Sequence, residues 1–161
     1  MSEKEMLLNT WEREFQTTLK VLKAYPPEKL DLKPHERSRS AKELAWIFVQ
    51  QENVVDGVIK GQIDFQNAPK PPATYQELLN MYESTHKALV AKVKNLSETE
   101  LNSSIPFPVA PKQMGQMRRA DILWLTVMDN VHHRGQFSVY VRMAGAKVPS
   151  IYGPTADEPW M

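Results

Sequence analysis

Along the first two dozen residues the apolar positions fall three and four apart. Leu7, Leu8, Trp11, Phe15, Leu19 and Leu22 recur while Glu12, Arg13 and Lys20 fill the gaps. That spacing gathers the apolar side chains on one face of an α-helix and predicts a first helix from about Lys4 to Ala24. Tyr25-Pro26-Pro27 ends it, because a proline ring disfavours helical backbone in the residue before it. A second helix is predicted to follow Ser40-Ala41-Lys42-Glu43, a capping box in which serine and glutamate each satisfy an orphan amide. It runs to about Lys60 with Leu44, Ile47, Phe48, Val54, Val55 and Val58 inward, and Gly61 suits its C-terminal cap. Thr74-Tyr75-Gln76-Glu77 opens a third helix in the same way, carrying Leu78, Leu79, Tyr82, Leu89, Val93 and Leu96.

The fourth helix, from about Arg118 to Ala144, is apolar on nearly every side: Ile122, Leu123, Trp124, Leu125, Val127, Met128, Val131, Phe137, Val139, Tyr140 and Val141. A helix of that kind is central, or faces a second subunit as well as its own core. Gly145 ends it, and the tail KVPSIYGPTADEPWM is too rich in proline for more helix. The stretch from Asn102 to Gln116 holds three prolines and is expected to be a loop across one end. With no convincing strand, the expected fold is an all-α, single-domain four-helix bundle with long crossover loops.

Composition narrows the function classes. The 161 residues carry 20 basic and 19 acidic side chains, a net charge of +1. Binding to nucleic acid would need a basic excess gathered on one face, so none is expected. Cysteine is absent, which removes disulfides, thiolate metal sites and cysteine nucleophiles. The start of the chain is charged from its third residue with no apolar run, and nothing approaches the roughly 18 consecutive apolar residues of a membrane span. A cytoplasmic protein without membrane contact is expected.

Candidate chemistry lies in the fourth helix. Asp129, His133 and Gln136 are spaced by four and three and therefore share one face. Ile122 and Leu125 extend that face on one side and Tyr140 on the other. A carboxylate and an imidazole one turn apart can converge on a cation. A hydrogen-bonded structural pair gives the same pattern, so the spacing leaves both readings open. His132 is rotated by about 100° from its neighbour and cannot easily share the site.

The run HHRGQFSVYVRMAGAKVPSIYGPTADEP, with LAWIFVQQE on the second helix, resembles the DinB (DinB/YfiT-like, damage-inducible) family over essentially the whole chain. The resemblance implies a four-helix bundle, usually a homodimer, in which three histidines bind a divalent metal, commonly zinc or nickel. One histidine comes from the second helix and two, four apart, from the last. Relatives of this kind include thiol-dependent transferases and isomerases using low-molecular-weight thiols. A link to stress induction in some of them says nothing about chemistry.

Carried over, the resemblance puts His133 at the last ligand position and Asp129 at the one before it. Carboxylate oxygen also serves zinc and manganese. The position on the second helix is Ile47, which cannot ligate anything. Glu52, if that helix is rotated, or Gln51 would be the third ligand; Gln51 reads better as a hydrogen-bond partner of Asp129 or His133. Ile47, Gln51, Gln136, Arg134 and Tyr152 are expected around the pocket. The first expectation is a dimer that has lost the metal chemistry and binds a small molecule or a partner. The alternative is a divalent-metal thiol transferase or hydrolase, with zinc, nickel or manganese held by Asp129 and His133.

Other residues are expected to be structural. His86, at the edge of the third helix's apolar face, should be partly exposed, with supply of a missing ligand as its alternative role, and His35 should be solvated in its loop. Arg134 should pair with a carboxylate, for example one from the tail, face a subunit partner or hold a substrate anion. Gly135 should permit close helix packing. Tyr152, Asp157 and Glu158 should belong to a tail folded back over the helices, and Trp11, Trp46 and Trp124 should be core or interface anchors.

Overall fold

A computed structural model describes residues 1–67 and 69–161. The elements run α1 (Glu3–Lys23), a 3-10 turn (Pro27–Lys29), α2 (Ala41–Lys60), α3 (Tyr75–Asn95), α4 (Glu98–Asn102), β1 (Ser104–Ala110), β2 (Gln113–Arg118) and α5 (Arg119–Met143). The two predicted capping boxes form, at Ser40 with Glu43 and at Thr74 with Glu77. The same device also opens α1 at Ser2 and α4 at Ser97. Gly61 closes α2 in the left-handed conformation that glycine adopts without a Cβ clash.

The expected helical class holds for most of the chain, but the expected absence of strands needs correction. The segment read as a loop folds into an antiparallel hairpin, pairing Ser104 with Arg118 through Phe107 with Gly115. Its signal is period two: Ile105, Phe107 and Val109 alternate with Pro106 and Pro108. Each strand of a two-stranded sheet has a free edge, where a proline lacking N–H costs no ladder bond. Lys112, at the tip, takes positive φ. The protein is mostly helical with this one small sheet.

The four long helices pack in a ring, α1 against α3 and α5, and α2 against α3 and α5. Their buried apolar side chains form two clusters. One contains Phe15, Leu44, Phe48, Tyr82 and Phe137; the other contains Leu7, Trp11, Val58, Leu89 and Ile122. On each helix a buried polar residue sits between the two: Glu14 on α1, Glu52 on α2, His86 on α3, and Asn130 and Arg134 on α5. A polar layer thus crosses the middle of the core. Among the described residues no helix is long and apolar enough to cross a membrane.

The tail folds back as expected. Asp157 accepts from the Val148 amide at 2.8 Å and pairs with Arg142, while Glu158 accepts from the Ser150 amide and from Lys20. Backbone and lysine hydrogen bonds hold the Glu158 carboxyl down at about 2.

Candidate functional site

Helix α5 aligns a string of polar side chains toward solvent. The Asp129 carboxylate lies 3.3 Å from His133 Nε2 and accepts a short hydrogen bond from the Gln51 side-chain amide of α2. His133 Nδ1 is 3.2 Å from Gln136 Oε1, and Gln136 Nε2 is 3.0 Å from His132 Nε2. The side chain of Asp129 is 38 % exposed, so the aspartate is not sealed inside the helix packing. Gln51 takes the partner role expected of it. Leu125, the next residue along this face, is also exposed and lines a cleft with Gln51, Val54, Phe65, Phe107, Thr126 and Asp129. The cleft measures about 340 Å³ and is roofed by the hairpin and the loop after α2.

The donor set does not fit a three-ligand metal site. Ile47 is buried in the apolar cluster with Leu44 and Phe48. Glu52 is not brought to Asp129. One residue after Gln51, it points about 100° away around α2, and its Oε1 lies 3.3 Å from His86 Nδ1. The Gln51 amide donates to one Asp129 oxygen, so it acts there as a donor and not as a ligand. Among the described residues, no group of three or more His, Cys, Asp or Glu side chains is placed to hold a metal ion.

His86 corrects another expectation. Its side chain is 2 % exposed, stacked 3.7 Å from the Phe15 ring and bracketed by Glu52 and by Glu12, whose Oε2 is 3.1 Å from Nε2. Burial pushes the Glu52 carboxyl above the ordinary range, with the His86 hydrogen bond and charge opposing it. Glu52 Oε2 and Asn130 Oδ1 have no hydrogen-bond partner among the described residues. His35 is exposed, as expected, and accepts from the Arg37 amide.

Arg134 is 1 % exposed and pairs with Glu14 of α1 at 2.8 Å, not with a tail carboxylate. The tail contributes Tyr152, whose hydroxyl donates to Glu14 at 2.6 Å and accepts from Arg134. Burial opposes ionisation of Glu14, but the hydrogen bonds from Tyr152 and Arg134 outweigh it and hold the carboxyl below its ordinary range. Sequence reasoning missed Glu14 altogether. The signal was present: Leu7, Trp11, Glu14, Thr18 and Leu22 follow the core spacing of α1. Gly135 does not serve close packing within the chain, since a Cβ there would meet nothing within 4 Å. Trp11 and Trp46 are buried, and Trp124 is half-buried against the second cluster.

The DinB family model matches residues 1–160. The chain belongs to the DinB family. Among its relatives, the uncharacterised protein YrdA of Bacillus subtilis (strain 168) is 29 % identical over 158 residues, covering 94 % of this chain and 89 % of that protein. Crystal structures of DinB-like proteins share the fold. One from Bacillus subtilis superimposes with a TM-score of 0.75 at 21 % identity, covering 91 % of this chain and 97 % of the other. Another from Bacillus cereus gives 0.75 at 22 %, covering 92 % and 97 %. At such identities the likeness carries the DinB fold and no chemistry.

Proposed function

We propose that this DinB-family chain is a four-helix bundle that works as a homodimer and binds a small organic molecule beside Asp129, without a resident metal. The observation that carries this reading is the lack, among the described residues, of a third ligand for Asp129 and His133: Ile47 is buried among apolar side chains and Glu52 turns to His86. The Gln51 amide holds one Asp129 oxygen and fixes the carboxylate in place, and Ile47 offers no further ligand. The cleft above suits a ligand with an apolar body, since Val54, Phe65, Phe107 and Leu125 form its walls. Gln51 and Asp129 supply the few polar contacts that orient such a molecule.

The dimer reading is supported by the outer face of α5. Met128 and Met143, which line neither cleft, are exposed at 58 % and 48 %. With His132 and Gly135 they fall on one face of the helix, as a packing seam requires. Metal-dependent thiol transfer, the alternative reading, draws no comparable support from the donor set.

Ligand-observed NMR with a fragment library tests the binding reading. Fragments with an apolar ring and one hydrogen-bonding group should bind the wild-type protein and be lost on Phe107→Asp. A library that yields no fragment sensitive to Phe107→Asp contradicts it.

A further inference from the structure

At the other end of the α5 polar string lies a larger cleft, about 660 Å³, lined by Pro34, Arg37, Ser38, Arg39, Leu44, Gln136, Val139 and Tyr140. Its volume falls in the range that small-molecule sites occupy. One wall is the 34–39 loop, held to α5 by the Tyr140 hydroxyl, which donates to the Arg39 carbonyl at 2.8 Å. That bond fixes the loop backbone and brings two arginines to one mouth.

The Ser40 hydrogen bonds lower the nearby Glu43 carboxyl and the Arg39 charge helps, but neither arginine forms an ion pair among the described residues. Arg13, Arg118, Arg134 and Arg142 each pair with a carboxylate, whereas no ion pair or side-chain hydrogen bond engages Arg37, Arg39 or Arg119 among the described residues. Of these three only Arg37 and Arg39 line this cleft. Glu43, the carboxylate of the adjoining turn, is already committed to the Ser40 amide at 2.6 Å. Gln136 belongs both to this cleft and to the hydrogen-bonded string that ends at Asp129. The apolar remainder of the lining, Pro34, Leu44, Val139 and the Tyr140 ring, suits a hydrocarbon body.

We propose that this cleft is an anion subsite, in which Arg37 and Arg39 hold the carboxylate or phosphate of a small amphipathic molecule whose apolar body lies against Leu44, Val139 and Tyr140. Guanidinium groups suit both anions, since their planar donors match the oxygen spacing of each. The subsite extends the small-molecule reading given above and rests on it only for the idea that α5 presents a ligand surface. The anionic end is bound here, at the far end of the string from Asp129.

Chemical-shift mapping of the full chain with phenyl phosphate and benzoate tests the subsite, with benzyl alcohol as the uncharged control. Either anion should move the resonances of Gln136, Val139 and Tyr140 at concentrations where benzyl alcohol does not. Affinity should fall about tenfold or more in the Arg37→Ala, Arg39→Ala double variant, and should weaken with added salt. Preference between the two anions identifies the head group. Both substitutions lie in an exposed loop, and a melting temperature within a few degrees of wild type confirms folding. The proposal is overturned if neither anion moves those resonances, if benzyl alcohol moves them equally, or if the double variant binds like wild type. Anion binding here with no Phe107-sensitive fragment would sink the Asp129 cleft alone; the reverse pattern would sink this subsite alone.

Discussion

The side chain of Gln51 on α2 donates to the carboxylate of Asp129 on α5, joining two helices across the rim of a cleft. The same carboxylate meets His133 one turn along. Both interactions sit at a half-exposed position, where an ion pair contributes little. Asp129→Asn should therefore cost no more than about 1 kcal/mol in urea unfolding, while abolishing fragment binding at the cleft. A loss of several kcal/mol would show that the pair serves the fold instead.

Arg134 is the opposite case. Its guanidinium is buried against Glu14, with the Tyr152 hydroxyl completing the arrangement. Arg134→Ala would leave the Glu14 carboxylate buried without its cation, a change that costs about 3–5 kcal/mol. Tyr152→Phe removes only the hydroxyl and should cost about 1–2 kcal/mol. Combined in a double-mutant cycle, the two effects should fall short of additivity, because both act on Glu14.

Acid should release the tail before it unfolds the helices. Glu158 is held at about 2, below its ordinary value of 4.5, by the Ser150 amide and Lys20. A depressed carboxylate stabilises the folded form fully above its ordinary value, and that contribution is lost as pH falls toward the depressed one. Trp160, whose indole N–H donates to Ser150 Oγ, reports the event. Its fluorescence should change between about pH 4.5 and 2 while far-ultraviolet circular dichroism holds. Glu158→Gln should remove the change.

The exposed face of α5 makes a separate prediction. If it packs against a second copy, replacing Met128 and Met143 by lysine should convert a sedimenting dimer to monomers with helical content intact. A wild-type monomer, or a variant that still dimerises, would remove α5 as the interface.

Helix positions and caps were legible because periodicity and capping boxes are local. The hairpin was not, since three prolines masked a period-two pattern that a free-edged sheet tolerates. The polar layer escaped for a different reason. Glu14, Glu52 and His86 stand at core spacings, but their burial depends on partners from other helices, which one sequence does not reveal. Gln51 was legible as a partner of Asp129 from the face it shares with Ile47; the turn of Glu52 toward His86 was not. DinB membership was readable in the closing run, and the match over residues 1–160 bears it out.

The central claim, binding without a resident metal, is tested most directly by titrating untagged, chelator-free protein with zinc, nickel and manganese by calorimetry. Elemental content and melting temperature are followed in parallel. The account predicts substoichiometric metal as purified, no saturable heat and no rise in melting temperature, because any ion that binds the native state stabilises it. It further predicts that Ile47→His creates measurable affinity by restoring a third ligand. One equivalent of metal on the wild-type protein, with a matching rise in melting temperature that Asp129→Asn or His133→Ala abolishes, would contradict it.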